Sequence, residues 1–202
     1  MTVPMICPQC QHPMAVPEGS FGHVLTCSNC QALLRIGVTA ATCANWCDIA
    51  WAYWLAAPED AGLEALPSEW QRELVALMLV NREVNNGGYL QFFSNHGREA
   101  YEYASRALRA IGARRMAEII DRCQALIDEH FSDEGQSQDD RRQLLPNRII
   151  DPEGHTIKEE GSMLPDAVYA RVLELSYEFM GYPDSVGDLA QSHYWPLIEA
   201  GR

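Results

Sequence analysis

The chain has 202 residues, 47% of them hydrophobic, and carries 28 Asp and Glu against 15 Lys and Arg, a formal charge of −13. That length suits one ordinary domain plus a small module, and the hydrophobic fraction is enough for a packed core. A surface this acidic repels phosphate backbones, which argues against direct nucleic-acid binding, and no run of about 18 apolar residues is present to span a membrane.

The charge is unevenly spread. Residues 1–38 contain one acid, Glu18, and one base, Arg35, leaving 27 acids and 14 bases in the rest. The opening Met-Thr-Val-Pro-Met-Ile-Cys lacks the basic and apolar regions of a signal peptide, so the expected location is the cytoplasm. Thiols stay reduced there, and seven cysteines point to metal binding and buried thiols rather than disulfides.

Residues 1–38 read as a β-rich module with short strands at Met14–Val16, Gly22–Thr26 and Leu33–Val38. Strands this short cannot build a core alone. Cys7, Cys10, Cys27 and Cys30 are spaced Cys-x2-Cys-x16-Cys-x2-Cys. Two residues between cysteines make a tight turn that aims both thiolates at one point, so two such turns supply a tetrahedral shell of four sulfurs. That shell suits one Zn2+ ion and leaves no position open for substrate, so the metal is structural. An iron–sulfur cluster is the alternative occupant. The sequence resembles the small bacterial zinc ribbons that precede many unrelated domains, which implies a recognition or spacer module. With Arg35 as its one fixed positive charge, this ribbon lacks a nucleic-acid-reading face.

From residue 39 to 202 the expectation is an acidic, mainly α-helical domain. Cys43, Trp46, Cys47, Ala50, Tyr53, Trp54 and Ala57 form a helical stripe closed by Pro58. Cys43 and Cys47, four residues apart, read as buried thiols on it. A capping box at Ser68–Gln71 opens a helix with Trp70, Leu74, Leu77, Met78 and Val84 inward, ended by Gly87-Gly88. A short helix or turn at Tyr89–Asn95 follows, then a helix with Tyr101, Ala104, Leu108 and Ile111 on one face. Another carries Met116, Ile119, Ile120, Cys123, Leu126 and Ile127. Residues 131–161 read as a long polar loop with a short hairpin around Asp151–Gly154. A helix over Pro165–Met180 buries Val168, Val172, Leu175 and Phe179, and the tail ending Tyr194-Trp195-Pro196 packs back as a short helix.

The chain contains no Gly-x-Ser-x-Gly, P-loop, Gly-x-Gly-x-x-Gly or His-Glu-x-x-His. Its most unusual segment is Asn85-Asn86-Gly87-Gly88-Tyr89-Leu90-Gln91-Phe92-Phe93-Ser94-Asn95-His96-Gly97. The glycines permit a sharp turn, Tyr89, Phe92 and Phe93 drive it into the core, and Asn85, Asn86 and Asn95 can bond backbone groups. A helix–corner–helix staple is the preferred reading over a ligand site.

This segment, with Glu83 before it and Arg-Ala-Ile-Gly-Ala (109–113) after it, resembles the DNA-mimic protein family. The signature residues are Asn86, Gly87, Gly88, Tyr89, Gln91, Phe92, Phe93 and Asn95. The resemblance covers Ala40 to the C-terminus and implies an all-helical acidic domain that can form a homodimer, with surface carboxylates standing in for DNA phosphates before a basic DNA-binding protein. Candidate carboxylates are Glu118, Asp121, Asp128, Glu129, Asp133, Glu134, Glu174 and Glu178, with Arg114, Arg115, Arg122 and Arg171 interrupting them. The leading function is thus a non-enzymatic protein-binding module with a basic partner. One alternative is an adaptor whose ribbon makes the contact, with the acidity merely solvating. Another is an enzyme with a site near Asn85–His96.

Overall fold

The computed structural model describes residues 2–6, 10, 12–17, 24–31, 33–35, 45–58, 62–132, 137–145, 147–150 and 156–200. Cys7, Cys43, Asp133 and Glu134 lie outside them, as does the expected turn at Asp151–Gly154. The described residues are mainly helical, with a small β-rich segment at the N-terminus.

Strands β1 (Thr2–Ile6) and β2 (Pro13–Pro17) pair antiparallel, as do β3 (Val24–Thr26) and β4 (Leu33–Arg35). Cys10 therefore lies between β1 and β2, and Cys27 and Cys30 lie between β3 and β4. Strand β1 is an addition to the sequence reading, because Pro4 within it argues against a strand unless the strand is an edge. In a two-stranded sheet both strands are edges.

Helix α1 (Trp46–Ala56) is capped by Asn45, whose Oδ1 accepts from Asp48 N at 3.0 Å. Its buried side is Trp46, Ile49, Ala50 and Ala52. Cys47 falls on the adjoining face and is exposed, which corrects the expectation of a buried thiol there. A 3₁₀ turn at Leu63–Ala65 leads to α2 (Glu69–Gly87). The expected box opens this helix: Gln71 Oε1 accepts from Ser68 N at 3.1 Å. Every residue from Leu74 to Val80 is buried, so α2 is covered on all sides rather than along one stripe.

Gly88 separates α2 from α3 (Tyr89–Ala110), and the two pack closely along their lengths. Instead of a turn followed by a helix, α3 is one helix broken at Gly97, where φ is 71° and ψ −168°. Helix α4 (Arg114–Asp128) packs on α3 and buries Met116, Ile119, Ile120, Cys123 and Ile127, with Leu126 half-buried. Its first turn is capped from far along the chain, Asp184 Oδ2 accepting from Met116 N at 3.0 Å.

A short helix α5 (Gln138–Arg142) lies against α3. Strands β5 (Asn147–Ile150) and β6 (Thr156–Glu160) then form a hairpin, whose base is closed where Met163 N donates to Gln143 O at 3.0 Å. Helix α6 (Asp166–Met180) packs against α4 and buries Val172, Leu175 and Phe179. The expected short tail helix is a full one, α7 (Val186–Ala200), which runs through Pro196. Gln191 Oε1 on α7 accepts from Trp46 N at 2.9 Å and ties the two ends of the helical part together. No helix among the described residues is long and apolar enough to cross a membrane.

Candidate functional site

In the N-terminal hairpins, the sulfurs of Cys10, Cys27 and Cys30 all lie within 4.8 Å of one another. Cys10 Sγ and Cys27 Sγ are 3.7 Å apart, far beyond the roughly 2.05 Å of a disulfide. Zinc bonded to sulfur at about 2.3 Å in a tetrahedron places its sulfurs about 3.8 Å apart, so the spacing fits that ion. The turn supports the same reading. Gln31 N donates to Cys27 O at 2.9 Å, and Gln31 adopts φ 60°. A left-handed non-glycine residue costs on the order of 1 kcal/mol and persists where surrounding bonds hold it. These three thiols are thus close enough together to be able to hold a metal ion.

The signature turn sits at the centre of the helical part. Tyr89, Phe92 and Phe93 are fully buried. Tyr89 N donates to Ser176 Oγ on α6 at 2.9 Å, and Tyr89 Oη donates to Gln124 Oε1 on α4 at 2.9 Å. One residue therefore pins α3 to two other helices. Burial raises the Tyr89 phenol pKa well above its ordinary value, so it remains a donor. Of the asparagines, Asn86 is exposed, and Asn85 Nδ2 donates to Asn81 O and to Tyr182 Oη at 2.7 Å. Asn95 does something the sequence did not suggest.

Asn95 Nδ2 and Gln91 Nε2 both donate to Glu83 Oε2, at 3.1 and 2.7 Å. Glu83 projects from α2 and its side chain is 12% exposed. Its second oxygen, Oε1, lies 3.9 Å from His96 Nε2, itself buried without a hydrogen bond. The His96 ring is held edge-on to Trp54 and beside Phe92. Burial is the main force pulling its pKa down to about 4; the Glu83 charge opposes this, and the charges of Arg141 and Arg82 add to it. The imidazole is accordingly neutral near pH 7.

These groups line a cleft of about 520 Å³ whose walls include Trp54, Glu83, Asn95, His96, Glu99 and Arg141. Arg141 reaches it from α5 by lying over Gly97, where a Cβ would stand 3.1 Å from the guanidinium carbon. A side chain at position 97 would crowd that guanidinium, and the φ of 71° there is one that glycine adopts most readily. Glu99 has its pKa raised, chiefly by partial desolvation and then by the like charge of Glu64, with Arg72 opposing and Glu102 adding to the rise. A carboxylate oriented by two amides, a neutral imidazole and a guanidinium thus share one concave wall. Among the described residues no His, Cys, Asp or Glu group besides the cysteine trio is arranged to hold a metal.

Residues 64–159 match the family model of DMP19-like proteins. That stretch is similar to the DNA-mimic family expected from the Asn-Gly-Gly-aromatic signature. No curated protein and no solved structure matches the chain. The DMP19-like match runs from the 3₁₀ turn into β6, taking in Glu83, Asn95, His96, Glu99 and Arg141, while the cysteine hairpins, α1 and α7 fall outside it.

The candidate carboxylates of the DMP19-like segment and α6 are largely neutralised at home. Asp121 pairs with Arg109 and accepts from Tyr101 Oη and Ser105 Oγ. Asp128 pairs with Arg98 and accepts from Gln124 Nε2. Glu174 pairs with Arg171 at 2.6 Å, and Glu178 with Arg122 at 3.6 Å. Glu118 and Glu129 are exposed and carry no ion pair among the described residues. Glu64, Glu99 and Glu102 are likewise exposed with no ion pair there. Free negative charge therefore gathers near the cleft as well as on α4.

Proposed function

We propose that this chain is a non-enzymatic protein-binding module in the manner of a DNA mimic, presenting carboxylates to a basic DNA-binding protein. The observation that carries the reading is the DMP19-like match over residues 64–159 on a chain of formal charge −13. Acidity supplies the attraction, and packed helices supply the rigid spacing that a phosphate-like array needs. Residues 1–38 form the accessory ribbon in this reading and 39–202 the binding domain. Cys7 joins Cys10, Cys27 and Cys30 as the fourth ligand of one structural zinc, whose binding replaces the core that the small hairpins cannot build. A homodimer belongs to the same reading.

The test uses the immobilised chain to capture partners at low salt, with and without residues 1–38, after circular dichroism has verified that the helices persist. Basic proteins retained by both forms and released by salt support the module. Partners that are acidic or insensitive to salt overturn it, and binding lost with the ribbon favours the adaptor alternative.

A further inference from the structure

The cleft between α2, α3 and α5 has more structure than a staple requires. Glu83 is largely but not fully buried, and its Oε2 accepts from two amides that orient the carboxylate. Among the described residues no hydrogen bond reaches its Oε1; the nearest basic atom is His96 Nε2 at 3.9 Å, which is itself buried without a hydrogen-bond partner. Native proteins rarely leave such groups unmatched. The wall around them carries two carboxylates, Glu83 and Glu99, against one guanidinium, Arg141. Glu64 and Glu102 also act on Glu99 and raise its pKa, with Arg72 opposing them. Trp54 adds an aromatic surface to the wall, a good neighbour for a planar cation and its apolar stem. A volume of about 520 Å³ admits one long side chain with room to spare.

We infer that this cleft receives the guanidinium of an arginine from the basic protein partner, with Glu83 Oε1 as its buried acceptor, Glu99 as the outer carboxylate and Trp54 along its stem. The inference rests on the partner reading above and relocates the decisive contact. The α4 and α6 carboxylates are mostly occupied by Arg98, Arg109, Arg122 and Arg171, whereas neither Glu83 nor Glu99 forms an ion pair with an arginine or lysine among the described residues. A guanidinium matches two acceptors in one plane, which an ammonium does not.

The experiment titrates the full chain with Nα-acetyl-arginine amide, followed by NMR at the Trp54 indole N–H and the Asn95 side-chain amide. Nα-acetyl-citrulline amide serves as the uncharged isostere. Saturable shifts with arginine and none with citrulline are expected, weakened about tenfold or more by Glu83→Gln. Because Glu83→Gln can disturb the buried amides, the exposed Glu99→Gln provides a second variant, expected to weaken the same shifts by a smaller factor. Equal response to citrulline, or indifference to both variants, overturns the inference.

The same variants are then tried on a captured basic partner. If Glu83→Gln and Glu99→Gln leave its binding unchanged while Glu118→Gln and Glu129→Gln weaken it, the cleft is overturned and the module reading stands. If arginine amide binds but no basic partner is ever captured, the module reading and the assignment to a partner's arginine both fall. The cleft would then be a site for a free guanidinium compound.

Discussion

At the scale of single residues, the signature is explained by backbone and burial together. Gly88 has φ 82° and ψ 178°, a region that is essentially glycine's alone. A Cβ there would also stand 3.2 Å from Ser176 Oγ, the group that receives Tyr89 N. Gly88→Ala should therefore destabilise the protein by about 1–3 kcal/mol, read as a lower urea midpoint at unchanged slope. His96 makes a pH prediction. Its folded pKa of about 4 lies below the ordinary 6.5, so the unfolded chain binds the proton more readily between those values. The contribution of neutral His96 is fully present above about pH 6.5 and lost as pH falls toward 4. The loss is on the order of 3 kcal/mol, since each pKa unit is about 1.4 kcal/mol. Chemical denaturation of wild type and His96→Gln over pH 4–7 should show the steeper decline in wild type alone.

At the scale of elements, Asp121 is the polar hub between α3 and α4. It accepts from Tyr101 Oη and Ser105 Oγ and pairs with Arg109, all from α3. It acts as a clamp in this arrangement. Asp121→Ala should cost about 1–3 kcal/mol of stability while leaving capture of a basic partner unchanged. A loss of capture in variant protein that remains folded would return the decisive contact to α4.

Helices with clear stripes were readable in advance: α4 buries Met116, Ile119, Ile120 and Cys123 at the expected spacing. The errors have physical causes. Cys47 shared a stripe on paper, but Ile49 and Ala50 set the buried phase of α1. The break at Gly97 hid the continuity of α3, and Pro196 shortened the expected α7 although the helix runs through it. The cleft was the least legible feature. Glu83 and His96 meet because Gly88 folds α2 against α3, and Arg141 arrives from a helix inside what reads as a polar loop. The nearness of Glu83 to the aromatic turn was the one available signal.

At the scale of the molecule, charge and metal divide the chain. The first 38 residues are nearly neutral and gather thiols; the remainder carries the acidity and the large core. If zinc replaces a core in the hairpins, chelation should abolish their β-structure and release one zinc per chain. The helical signal and its thermal transition should change little, because that core is made elsewhere. Coincident loss of both would join what the composition separates.

The claim that the acidic helical part stands in for DNA is tested most directly by competition. A basic protein captured by the chain is offered duplex DNA at fixed ionic strength, and the bound species are resolved by sedimentation. The account predicts displacement, with the protein holding either the chain or the duplex and never both, and a stronger grip at lower salt. A stable ternary complex of chain, partner and DNA would contradict it.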